Sequence, residues 1–333
     1  MSGSVIHGGG ITAAAARFGG RTEDWLDLST GLNPCPPALP EVALRAWHRL
    51  PDRHLERDAR RAAQSFYRTG DVLPLPVPGT QSAIQMLPRL VASERSVAIL
   101  SPTYGEYGRV FEAEGRPVER IAGLDDVDGR HGLVMAVNPN NPTGRIFQSE
   151  ELLAVAERLS NVGGLLVVDE AFGDCLPEVS VAGKVMDHPN LIVFRSFGKF
   201  FGMAGIRLGF VVAAPEILEG MESRLGPWAV SGPALSVAAS LLSGETDGIR
   251  ERIVMRRAAL GAVLADAGLR VSGGTDLFAL VEEEKAAALH EHLCQAHILT
   301  RAFDYAPTWL RIGLAPDEDA DRRLAQALKA WRR

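Results

Sequence analysis

The chain has 333 residues, 46% of them apolar and 23% charged, with a formal net charge of −6. That length can bury a large core and hold two domains, and the composition excludes a disordered or low-complexity chain. The arginines are interleaved with acids and form no basic stripe, which argues against nucleic acid as a partner.

The opening residues lack the basic and apolar regions of a secretion signal. No apolar run reaches the ~18 residues of a membrane span. Cys35, Cys175 and Cys294 are too few and too scattered for a disulfide framework or a zinc knuckle, which fits the reducing cytoplasm. Residues 1–30 are rich in glycine and alanine and read as an N-terminal arm. Asp27–Pro40 reads as a loop and Glu41–Tyr67 as a helix.

Short β-branched runs then alternate with amphipathic stretches. Val97–Leu100, Leu133–Asn138, Leu165–Asp169, Leu191–Ser196 and Leu208–Val212 read as strands. Tyr107–Glu114 and Glu150–Leu159 read as helices. Continuous apolar strands separated by helices predict an α/β fold with a mainly parallel central sheet covered by helices. Past Trp228 the pattern is helical to about Ala267. A β-rich section follows (Leu269–Val281), then a helix (Lys285–Ala296), a strand (Arg311–Leu314) and a terminal helix (Asp319–Trp331). The expected division is an arm (1–30), a large domain (31–226) and a smaller α+β C-terminal domain (227–333).

Four segments carry chemistry, most of them at the strand ends where open α/β sheets bind ligands. Pro78-Gly79-Thr80-Gln81-Ser82 opens an apolar helix and offers backbone N–H groups to an anion; it is equally an ordinary helix entry. Asn138-Pro139-Asn140-Asn141-Pro142-Thr143-Gly144 fixes a turn after a strand and holds Asn141 at the sheet edge. Asp169-Glu170-Ala171-Phe172 delivers an acid at the end of a buried strand, suited to a cationic partner such as a protonated pyridine. Ser196-Phe197-Gly198-Lys199 continues to Gly205-Ile206-Arg207-Leu208-Gly209. It sets a lysine among apolar and glycine residues, which favours a nucleophilic amine, with Ser196 and Arg207 as phosphate donors.

In this order the segments resemble the fold-type I aminotransferase superfamily, from about His7 to Ala315. The resemblance implies pyridoxal 5'-phosphate (PLP) as cofactor, joined to Lys199 as a Schiff base. Asp169 would pair with the ring nitrogen and Asn141 with the ring hydroxyl. Tyr104 would stack on the ring, and Thr80, Gln81, Ser196 and Arg207 would hold the phosphate. Arg311 would fork onto a substrate carboxylate. The family also implies a homodimer with sites at the interface.

Within the superfamily the chain is similar to threonine-phosphate decarboxylases and to histidinol-phosphate aminotransferases. His7-Gly8-Gly9, Glu106-Tyr107-Gly108-Arg109 and Pro227-Trp228-Ala229-Val230-Ser231 favour the decarboxylases. His7, Asn33, Arg301 and Arg311 are then the expected substrate-binding residues, Arg301 taking a substrate phosphate. There are departures. Phe172 stands where many relatives have a tyrosine on the ring oxygen. Leu50 stands where relatives have a tyrosine that reaches the neighbouring subunit's phosphate, with His54 as a nearby substitute.

Decarboxylase and aminotransferase would share the lysine, aspartate and asparagine, and differ in which Cα bond stands perpendicular to the ring. A noncatalytic PLP-binding module is the third reading; the short Gly-rich start leaves no room for a DNA-binding helix pair. His7-Gly8-Gly9-Gly10 resembles a hydrolase oxyanion loop, but the Gly-x-Ser-x-Gly elbow that loop requires is missing. It is also no dinucleotide fingerprint, because no strand precedes it. His290, His292, Cys294 and His297 have metal-ligand chemistry, yet the stretch reads as an ordinary helix, and no metal is expected.

Overall fold

The computed structural model describes residues 8–92 and 94–331. They divide into two units. Pro37–Asn140 and Ile146–Thr246 form the larger. Residues 8–36, Asn141–Arg145 and residues 247–331 form the other.

The larger unit is built on a seven-stranded sheet. Its order is Leu75–Val77, Gly209–Ala213, Leu191–Ser196, Leu165–Asp169, His131–Val137, Ser96–Leu100 and Val118–Ile121. Gly209–Ala213 runs antiparallel to both neighbours; the other pairings are parallel. His131–Val137 is buried at every position, as a strand covered on both faces must be. Helix Ser149–Ser160 buries Leu152, Val155, Ala156 and Leu159, one stripe at helical spacing. Leu152, Val155 and Leu159 each contribute roughly 1.5–3 kcal/mol by burial.

The helix expected over Glu41–Tyr67 is two helices, Leu44–His48 and Arg53–Tyr67. Pro51 cannot continue the first, and the Asp52 side chain caps the second through the N–H groups of His54 and Leu55. Arg53–Tyr67 turns Ala59, Ala62 and Ala63 inward, and it packs along Gly232–Leu242. That packing moves the boundary. The chain from Pro227 to Thr246, expected in the C-terminal domain, belongs to the larger unit.

The other unit holds an antiparallel sheet ordered Arg301–Ala302, Trp309–Gly313, Phe278–Glu282 and Arg270–Thr275. Helices Asp247–Asp266, Ala286–Gln295 and Glu318–Trp331 belong to it. Residues of the expected arm belong to this unit. Leu26–Asp27 pairs in parallel with Ile298–Leu299, and Trp25 is buried with Ala14, Cys294 and Leu299. Asn141–Arg145 joins it by backbone contact: Gly274 N–H donates to the Thr143 carbonyl at 3.1 Å. A Cβ on Gly144 would lie 1.8 Å from the Gly274 carbonyl oxygen, so only glycine fits that approach.

Among the described residues, no helix is long and apolar enough to cross a membrane.

Candidate active site

In the larger unit the chemistry sits where strands end. Leu165–Asp169 delivers Asp169, which is 5% exposed. Its Oδ1 accepts the Ala171 N–H at 2.9 Å and its Oδ2 accepts the Tyr107 hydroxyl at 2.5 Å. Burial pushes the Asp169 carboxyl above its ordinary range, while these two donors and the Lys199 charge pull it back.

Strand Leu191–Ser196 runs straight into a one-turn helix, Phe197–Phe200, which carries Lys199. Phe197, Phe200 and Phe201 are buried and pack on one another and on Phe66, so the lysine stands on a stiff apolar base. Its Nζ lies 5.5 Å from the Phe172 ring centre.

Gly79 has φ +74° and precedes helix Thr80–Met86. A Cβ there would lie 2.6 Å from Arg207 Nη2, so the guanidinium closes over the backbone that opens the helix. Free N–H groups and a guanidinium together form an anion cradle. Ser196, half-buried, caps the lysine helix without a side-chain hydrogen bond of its own.

The Gln81 side chain is held by its neighbours. Its side-chain amide donates to Glu106 Oε2 at 2.8 Å and its carbonyl accepts the Tyr104 hydroxyl at 3.2 Å. Its backbone, not its side chain, is the part that faces an anion role. Burial, with the charges of Glu106 and Asp169, pushes Tyr104 up to about 12, so it is a neutral phenol at working pH. Glu106 is held by Arg109 in turn.

The other unit carries its own group. Arg311 lies on Trp309–Gly313, directly opposite Arg301 in the register. It is 6% exposed and sits 5.0 Å over the Phe278 ring. Its Nη1 donates to Asn141 Oδ1 at 2.6 Å and its Nη2 to the Ser29 carbonyl at 2.5 Å, while Nε has no partner. Burial, with the Arg301 charge nearby, pushes Arg311 down to about 10. Such a cation is poorly compensated, and an arriving carboxylate would relieve it. Asn33, 3% exposed, accepts the Cys35 N–H at 2.9 Å. His7 lies outside the described residues.

His290 pairs with Thr300 at 2.9 Å, and His292 reaches the Ala327 carbonyl at 2.8 Å. His297 lies past the end of its helix, its ring tilted against Trp25 with centres 5.2 Å apart. His54 is a surface residue whose ring pairs with Arg57.

Three residues escaped the sequence reading of the site. Tyr107, Glu106 and Arg195 act through partners 62, 25 and 21 to 25 residues away, which no local pattern reports. Glu106 and Tyr107 stood in a segment already singled out for its resemblance but were given no site role, and Arg195 showed itself only as a charge inside an apolar strand.

The family model for aminotransferase class I and II matches residues 23–328. The chain belongs to that family. It is 64% identical to a threonine-phosphate decarboxylase of Sinorhizobium sp over 328 residues, 98% of each chain. It is 42% identical to a threonine-phosphate decarboxylase of Pseudomonas aeruginosa over 334 residues, again 98% of each. Among solved structures it resembles the histidinol-phosphate aminotransferase from Sinorhizobium meliloti in complex with pyridoxal-5'-phosphate. The TM-score is 0.84 at 20% identity, over 99% of this chain and 96% of that one. The donor set fits such a cofactor. A buried acid suits a pyridinium, a lysine on an apolar base suits an aldehyde, and the Gly79–Arg207 cradle suits a phosphate.

Proposed function

We propose that the protein is a PLP-dependent threonine-phosphate decarboxylase. It would convert L-threonine O-3-phosphate to (R)-1-aminopropan-2-yl phosphate and CO2 in cobalamin biosynthesis. The full-length relation at 64% identity to a relative of that name carries the reading. The structural likeness to an aminotransferase, at 20% identity, speaks for the fold alone.

When bound, PLP supplies an electron sink for the pair left on Cα as CO2 departs. In this reading Lys199 would hold the cofactor through its aldehyde and would return a proton to Cα. Asp169 would hold the ring nitrogen. Thr80, Ser196, Arg207 and the backbone of Gln81 would hold the cofactor phosphate, and Tyr104 would hold the ring face. Asn141 would hold the ring oxygen. Phe172 has no hydroxyl to share that contact. Arg311 takes the substrate carboxylate, with Arg301, Asn33 and His7 for its phosphate.

Arg311→Leu is expected to raise KM for threonine phosphate by roughly 30-fold or more, the cost of removing one partner of a buried ion pair. Steady-state kinetics with a circular-dichroism check of the fold measures it.

We further assign a cytoplasmic homodimer. Cys35, Cys175 and Cys294 are free thiols. In the larger unit Leu39, Leu44, Trp47 and Leu50 are between 63% and 73% exposed. Trp228, 58% exposed, borders a cavity of about 250 Å³ with Pro51, Leu225 and Val230. Apolar surface of this kind marks a contact with another chain. Sedimentation of the purified protein tests it.

The deciding assay supplies PLP and L-threonine O-3-phosphate without a keto acid. Release of CO2 with aminopropanol phosphate over many turnovers is expected. Turnover confined to histidinol phosphate plus 2-oxoglutarate would make the protein an aminotransferase. Bound PLP with neither turnover would make it noncatalytic.

A further inference from the structure

We propose that Tyr107 is a positioning residue that keeps Asp169 a carboxylate, so that the proton shared with the cofactor's ring nitrogen rests on nitrogen. The inference rests on the cofactor assignment above. Tyr107 comes from helix Glu106–Ala113 and is fully buried. Its hydroxyl meets Asp169 Oδ2 at 2.5 Å, while Oδ1 is held by the Ala171 N–H. The other titratable groups facing Asp169 are Lys199 from the one-turn helix, Glu170 beside it in the chain, and Tyr104 from the loop before Tyr107.

A buried carboxyl tends to keep its proton, because the low dielectric penalises the charge. A hydroxyl that donates to the anion counters this. Burial, with Asp169 alongside, pushes Tyr107's own pKa far up, so the phenol stays a neutral donor throughout the working range. One proton lies between a carboxyl and a ring nitrogen, and its place follows the relative basicity of the two. With the hydroxyl present, the carboxyl is the weaker base and the nitrogen keeps the proton. Without it, Asp169 holds the proton to higher pH, and the ring loses the positive charge that draws electrons from Cα.

The test compares dissociation constants for PLP and for its 1-deaza analogue, which has a C–H in place of the ring nitrogen. An anionic Asp169 rejects the analogue; a protonated one tolerates it. Tyr107→Phe is expected to lower the analogue-to-PLP ratio by about tenfold, the worth of a hydrogen bond to a charged group. It should lower kcat with little change in KM. In an Asp169→Asn background the same substitution should leave the ratio alone. If Tyr107→Phe does not fold, protein with 3-fluorotyrosine in place of tyrosine, a stronger donor, should raise the ratio, and again not in Asp169→Asn. Tight PLP binding with a ratio unmoved by Tyr107→Phe or fluorination would overturn the role of Tyr107 alone. An equal shift in the Asp169→Asn background would reduce Tyr107 to packing and overturn it too. Wild-type protein that fails to bind PLP would overturn the cofactor assignment and the inference together.

Discussion

Lys199→Ala is expected to lower the rate of CO2 release by at least about 10⁴-fold, since it removes both the covalent anchor and the proton donor. Stability should change little. Lys199 is half-buried, and the apolar base beneath it, Phe197, Phe200 and Phe201, stays in place. The cofactor's absorption band in the holoenzyme should revert to that of a free aldehyde, and the cofactor should leave on gel filtration. Added small primary amines should restore part of the rate. Wild-type rates in the alanine variant would remove Lys199 from the chemistry.

Arg195→Met should be the most destabilising single change near the site. Arg195 is 3% exposed, ion-paired with both Glu170 and Asp174, and lies 4.6 Å over the Tyr67 ring. Burial alone would lower its pKa; the Asp174 and Glu170 charges outweigh that and raise it, so it remains a cation. Removing it strands two buried acids, at a cost of about 3–5 kcal/mol. The sign with pH follows. Burial penalises an uncompensated carboxylate but not its neutral acid. The variant therefore loses least stability in acid and progressively more as pH rises toward neutrality. Denaturant midpoints at several pH values measure this. Adding Glu170→Gln and Asp174→Asn should recover part of the loss. Because Glu170 follows Asp169 and Arg195 precedes Ser196, the network also ties together the two strand ends that carry the chemistry.

The sequence was legible where local rules decide. Leu165–Asp169 and Leu191–Ser196 match their expected bounds, because β-branched runs between turns have one sensible reading. The motif residues likewise sit at strand ends and helix entries as their composition demands. Misreadings arose where distant packing decides. Glu41–Tyr67 was too long because the Pro51-Asp52 break was passed over in favour of helical composition. The boundary near Pro227 missed because Gly232–Leu242 finds its partner, Arg53–Tyr67, more than 160 residues earlier.

The parallel pairing of Leu26–Asp27 with Ile298–Leu299 has a consequence for biosynthesis. Leu28 N–H and the Leu28 carbonyl bond to Leu299 and Gly313, so this segment waits for partners that are synthesised much later. Leu26, Asp27 and Leu28 wait for these partners while some 250 further residues leave the ribosome. Segments with partners this remote close slowly and stay exposed while they wait. Truncating the last helices should therefore release the beginning of the chain to proteases as readily as the end.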